Sequence, residues 1–135
     1  MTCSGPEQRI ITVPARLTYL AGPYSDPDSK IRQFRFEQLS RITALLIWQK
    51  KIIYCPIVAW HLVAQSQNLP TDAMYWDEIN KTYLQYSHEL IAVHLPGWKE
   101  SKGMQEEIQL AEELDIPIWA YYPDLRDFPE FLKIK

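Results

Sequence analysis

Apolar residues fall in separate blocks along the chain, and their spacing changes from block to block. Arg16 to Gly22 is a short apolar run that ends at a Gly-Pro pair, the pattern of a strand closed by a turn. Good helix formers then run from Lys30 to Lys50, behind Asp26-Pro27, which has the form of an N-cap with proline at the first helical position. Along this helix Ile31, Phe34, Gln38, Ile42, Leu45 and Ile47-Trp48 lie near one stripe. Phe36, Leu39 and Leu46 widen it, so most of the helix is expected to be covered by a sheet. Ile52 to Cys55, stopped by Pro56, is a continuous apolar run that predicts a strand buried on both faces.

Val58 to Gln67 reads as a short helix or turn, and the Asn68-Leu69-Pro70-Thr71 cluster is a loop that leads into a second long helix over Ala73 to Ser87. Glu89 to Leu95 is strand-like and stops at Pro96-Gly97. Gly103 to Leu114 is helical, and Ile116 to Tyr122 forms a final strand. Strands that alternate with helical segments imply a parallel sheet covered on both faces, because a parallel crossover consumes a dozen or more residues. The 135 residues, 47% of them apolar, suit one domain over 1–135, with 1–14 as a flexible or extended N-terminal segment.

Charge narrows the partners. Fourteen Lys and Arg against seventeen Asp and Glu give a net charge of −3, the wrong sign for a nucleic acid polymer. The apolar runs are too short to span a bilayer, and the N-terminus carries no apolar h-region, so a cytoplasmic protein without a membrane partner is expected. Cys3 and Cys55 form no disulfide framework. His61, His88 and His94 lack zinc-ligand spacing, so neither a metal nor another cofactor is expected.

In parallel sheets of this kind, ligands sit outside the carboxyl ends of the strands, where the strand order reverses. The first such loop is Gly22-Pro23-Tyr24-Ser25, where small residues admit a ligand close to the backbone before a helix N-terminus. Asp26 and Asp28 oppose a phosphate there, and Arg32 and Arg35 offset them. The second is Pro96 to Gly103, which runs into a helix with Glu106 and Glu107 read into its first turn. On local physics alone the first is an ordinary tight turn, and the acids are ordinary N-terminal helix acids.

Taken together, the two loops resemble the nucleoside 2-deoxyribosyltransferase family. The Tyr-x-x-Gly of that family is seen as Tyr19-Leu20-Ala21-Gly22-Pro23, and its later Asp/Ser, Gly and nucleophilic Glu are seen as Ser101, Gly103 and Glu107. The match continues through Ala111 and Pro117-Ile118, and Glu89 to Trp98 looks like a short branch of the superfamily. The resemblance implies a flavodoxin-like or Rossmann-like three-layer sandwich with about five parallel strands. It also implies cleavage or exchange of an N-glycosidic bond through a glycosyl-enzyme ester, as in retaining glycoside cleavage.

In that chemistry Glu107 is the nucleophile and Tyr19 orients its carboxylate, while Glu106 points about 100° away. Gly22, Pro23, Ser25, Asp77, Trp98, Ser101 and Gly103 would form the substrate shell, with Ser101 donating to a base, ribose or phosphate oxygen. Asp77 reads equally as a solvated helix acid paired with Lys81. Trp60, Tyr75 and Trp76 read as core or subunit contacts, whereas Trp98 is the candidate for stacking on a base. Two departures stand out: Gln109 replaces the Gly two residues after the nucleophile, and His88-Glu89 replaces an Asp at the start of the preceding strand.

The substrate implied is a nucleoside or nucleoside 5′-monophosphate, with hydrolysis and transfer both open, and the family's assemblies imply a homo-oligomer. A non-catalytic nucleotide-binding or signalling module on the same fold is the alternative. Five Trp and eight Tyr also suit a purely structural oligomer subunit.

Overall fold

The computed structural model describes residues 16–124. The expected N-terminal segment 1–14 lies outside the described residues. Eight elements follow in chain order: β1 (Leu17–Ala21), α1 (Ser29–Trp48), β2 (Ile52–Tyr54), α2 (Pro56–Gln67), α3 (Ala73–Gln85), β3 (Glu89–Val93), α4 (Lys102–Glu113) and β4 (Ile118–Tyr121). The four strands form one parallel sheet in the order β2-β1-β3-β4. The fold is thus the expected small α/β sandwich, with four strands among the described residues where the resemblance implied about five. The residues between β2 and β3 are spent on two helices, α2 and α3.

Alternation along the strands divides the core between two faces. Leu20, Ile91 and Val93 point to α1, where they meet Leu39, Ile42 and Leu46. Tyr19, Ala21, Leu90 and Ala92 point the other way, toward Leu84 of α3 and Met104 and Ala111 of α4. Helices therefore cover both faces of the central strands β1 and β3, which are the hydrophobic runs that a parallel sheet requires.

Three local expectations change. The N-cap of α1 is Asp28, which accepts from Lys30 N at 2.8 Å. Asp26 instead accepts from Asp28 N, and Arg32 donates to the Asp26 carbonyl, holding Asp26 to Asp28 as a turn ahead of the helix. The buried stripe of α1 is Ile31, Arg35, Leu39, Ile42, Thr43 and Leu46, while Leu45, Ile47 and Trp48 are exposed. The i, i+4 spacing of the first set matches 3.6 residues per turn more closely than the set read from apolar residues alone. Among the described residues β2 is an edge strand, paired with β1 alone, and Ile52 is half exposed.

The switch of direction falls between β1 and β3, since the chain moves to β2 on one side and returns to β3 on the other. The loops leaving these two strands are tied together by Arg35. Its Nη1 donates to the carbonyls of Tyr24 (3.2 Å) and Ser25 (3.1 Å), and its Nη2 to that of Pro96 (3.4 Å). Gly97 adopts φ +93°, and a Cβ there would fall 2.4 Å from Arg35 Nη2, so both the backbone angle and the guanidinium require glycine.

Gly22 is demanded by packing. A Cβ at this position would lie 2.7 and 2.9 Å from the two Cδ atoms of Leu39, in the seam between β1 and α1. Gly22→Ala is expected to destabilise the chain by about 1–3 kcal/mol through overpacking, seen as a lower urea midpoint with an unchanged slope.

Candidate functional site

A cavity of about 440 Å³ opens at the carboxyl ends of β1 and β2. The β1 loop contributes Gly22, Tyr24 and Ser25, and α2 contributes Ile57, Trp60 and His61. Ala73, Trp76 and Asn80 of α3 form the next wall, and Ser101, Gly103, Met104 and Glu107 close it from α4. Helix N-terminal segments surround this space, as the topology of an open parallel sheet dictates.

Glu107 meets Tyr19 across 88 residues of sequence, with Tyr19 Oη donating to Glu107 Oε2 at 2.5 Å. Tyr19 lies on the central strand with no solvent exposure, so its hydroxyl is held by the core rather than by a flexible loop. Burial, the most influential cause, pushes the Glu107 carboxyl up to about 7; the Tyr19 hydrogen bond opposes this, and the neighbouring charges of Asp77 and Glu106 add to it. The same burial, reinforced by Glu107, raises the Tyr19 phenol well above its ordinary range, so this hydroxyl stays protonated and acts as a donor.

α4 begins at Lys102, so Glu107 lies in the second turn rather than the first. The partial positive charge of the helix terminus falls off within the first turn, which leaves burial to dominate. Ser101 is the N-cap: its Oγ accepts from Met104 N at 3.3 Å, and it lines the cavity as well. Gly103 is where α3 comes against α4, since a Cβ there would sit 3.0 Å from Ala73 Cβ. Ser25 Oγ donates to the Thr71 carbonyl at 2.8 Å, joining the β1 loop to the α2–α3 connection.

The remaining expected residues sit elsewhere. Pro23 is fully buried beneath the loop. Asp77 pairs with Lys81 at 3.0 Å and reaches the cavity only through its charge on Glu107. Trp98 stacks on His94 at 3.8 Å and does not line the cavity. The cavity's aromatic wall is instead Trp60 and Trp76, stacked at 6.0 Å and anchored by Trp60 Nε1 on Tyr54 Oη (2.7 Å) and Trp76 Nε1 on the Pro70 carbonyl (2.8 Å).

The two departures from the resembled pattern fall away from the cavity. Gln109 is exposed and bonds Glu113. His88 Nδ1 accepts from Leu17 N at 2.9 Å, and Glu89 accepts from Thr18, at the opposite end of the strands.

The sequence pointed to His61 only as a possible metal ligand and did not single out Asn80. His61 is buried and bonded on both ring nitrogens, to Tyr24 Oη and Gln33 Oε1. Asn80 presents a buried Oδ1 with no partner among the described residues. Their only sequence signal was helical spacing, Asn80 standing one turn after Trp76 on the same face of α3. Among the described residues no group of three His, Cys, Asp or Glu is placed to hold a metal, and no helix is long and apolar enough to cross a membrane. Cys55 is a free buried thiol, pushed up to about 12 by burial and therefore unreactive.

A carboxyl raised above its unfolded value makes folding take up protons, so its contribution to stability is present at low pH and declines as pH rises from about 4.5 to about 7. Glu107→Gln keeps an acceptor for Tyr19 and removes the buried charge. At pH 8 the variant is expected to be more stable than the parent by roughly 2 kcal/mol, with the difference closing by pH 4.5 in a series of melting curves.

No curated protein matches this sequence. A family profile covers residues 16–122, which spans β1 to β4 and the whole cavity. The chain belongs to the family described as Domain of unknown function (DUF1937).

Proposed function

We propose that this chain cleaves the N-glycosidic bond of a nucleoside through Glu107. The observation that carries the reading is the Tyr19–Glu107 hydrogen bond at the wall of an otherwise largely apolar cavity. Tyr19 holds Oε2 and leaves Oε1 to attack the anomeric carbon. As the C–O bond of the glycosyl ester forms, the C–N bond breaks and its electron pair leaves with the base. The resemblance to the deoxyribosyltransferases supports the same assignment, and the Trp60–Trp76 wall offers a face on which a base can stack.

Charge supports an unphosphorylated substrate. Among the described residues, Asp72, Glu100 and Glu107 line the cavity against one Lys or Arg, Lys102. The groups that the sequence offered for a 5′-phosphate are engaged elsewhere: Arg35 and Arg32 on loop carbonyls, Ser25 on the Thr71 carbonyl and Ser101 at its cap.

Two outcomes are expected from chromatography of a nucleoside panel. Base release in the wild-type chain falls by more than about a thousandfold in Glu107→Ala. Each accepted nucleoside has a kcat/KM at least about tenfold above that of its 5′-monophosphate, roughly 1.4 kcal/mol of unfavourable charge. Ligand binding without turnover anywhere in the panel overturns the enzymatic reading in favour of a nucleotide-binding module.

A further inference from the structure

The cavity is also lined by Tyr24 and His61, polar side chains that cleavage of the glycosidic bond does not use. Four side chains form a continuous hydrogen-bonded line that starts at Glu37 on α1, outside the cavity, and reaches the cavity at His61 on α2 and Tyr24 on the β1 loop. Gln33 Nε2 donates to Glu37 Oε2 at 3.0 Å. A carboxylate only accepts, so the Gln33 amide is oriented with Oε1 toward His61, and His61 Nε2 lies 3.0 Å from that oxygen. Nε2 must therefore carry the ring proton. Nδ1 is left bare, 2.6 Å from Tyr24 Oη, and the phenol donates to it.

The ring is held in place by more than these bonds. It stacks on Phe36 with centroids 4.3 Å apart, and Tyr24 meets it edge-on. Burial, followed by the charge of Arg32, keeps the imidazole below its ordinary range, so it stands neutral at neutral pH with its Nδ1 lone pair accepting from Tyr24. The charge of Arg32 partly offsets the burial that raises the Tyr24 phenol. Tyr24 and His61 both line the cavity that Glu107 lines.

The geometry points to Tyr24 and His61 as a proton-accepting pair for the second half of the reaction, in which water or another protic nucleophile resolves the glycosyl-Glu107 ester. This inference rests on the proposed chemistry at Glu107. The water oxygen bonds to the anomeric carbon, and the bond from that carbon to the Glu107 oxygen breaks with its electron pair returning to the carboxylate. The water proton passes to Tyr24 Oη, and the phenolic proton passes to His61 Nδ1. The imidazolium keeps its Nε2–H on Gln33, anchored by Glu37, and later releases its extra proton to solvent or to the departing base.

Three versions of the whole 135-residue chain test this: wild type, Tyr24→Phe and His61→Phe. Each is mixed with the nucleoside that the panel identifies, and followed by rapid-quench chromatography and intact-protein mass spectrometry. Both variants are expected to release the first equivalent of base at close to the wild-type rate and then to turn over about a hundredfold more slowly, carrying the mass of the sugar on Glu107. Sodium azide, an anionic nucleophile that has no proton to lose, should restore turnover in both variants and yield the glycosyl azide. A purely structural role for the pair would slow base release itself, leave no adduct and give no rescue, and that result overturns the inference. Tyr24→Phe alone decides the matter should His61→Phe fail to fold. Absence of base release from the wild-type chain defeats the glycosidic reading and this inference with it. Base release by wild type without an adduct in Tyr24→Phe defeats this inference alone.

Discussion

β1 is paired on both edges and covered on both faces, and the rest of the molecule is arranged around that constraint. With β2 on one side and β3 on the other, its Leu20 is committed to α1 and its Tyr19 and Ala21 to α3 and α4. A tyrosine buried this deeply needs a partner for its hydroxyl. The partner is Glu107, which settles the rotation of α4 about its axis and brings Gly103 against α3. One buried hydroxyl thus couples the centre of the sheet to the helix that closes the cavity.

The cost of that coupling is a carboxyl with little water around it. Its charge is opposed by burial and by the like charge of Asp77, and the α4 terminus lies too far along the helix to help. A structural role for Glu107 would be served as well by glutamine, which accepts the same hydrogen bond without a charge to desolvate. Retaining an ionisable group at this position lowers stability at neutral pH, and such a penalty is typical of sites arranged for chemistry rather than for folding.

Most of the elements were legible because they rest on local physics. Apolar runs stopped by Gly22-Pro23, Pro56 and Pro96-Gly97 mark the ends of three strands, and helical composition marks α1, α3 and α4. The helix ends were less so, since Asp26 and Asp28 both satisfy the capping rule and only Arg32, reaching back to the Asp26 carbonyl, decides between them. The Tyr19–Glu107 pairing was reachable through resemblance alone, because no periodicity relates residues 88 positions apart. Trp98 and the Trp60–Trp76 pair exchanged places for a similar reason. Loop position suggests access to a ligand, but which indole faces the cavity depends on how α2 and α3 approach each other in space, and His94 takes up the ring of Trp98. The Tyr24–His61 contact likewise spans two elements and 37 residues, so a lone histidine on a helix carried no sign of it.

Access to solvent bears on which outcome the proposed chemistry favours. Met74 lines the cavity and is 79% exposed, so the space opens to bulk water beside α3. A glycosyl ester at Glu107 would meet water as soon as the base has left its wall. Exchange therefore requires a base to remain stacked on Trp60 and Trp76, where an aromatic contact contributes roughly 1–3 kcal/mol. In the proposed chemistry Glu107 would treat the two fates alike, since the bond that breaks is the same in both. The partition between them would be set by whether the wall of α2 and α3 holds a base or a water when the ester is ready to react.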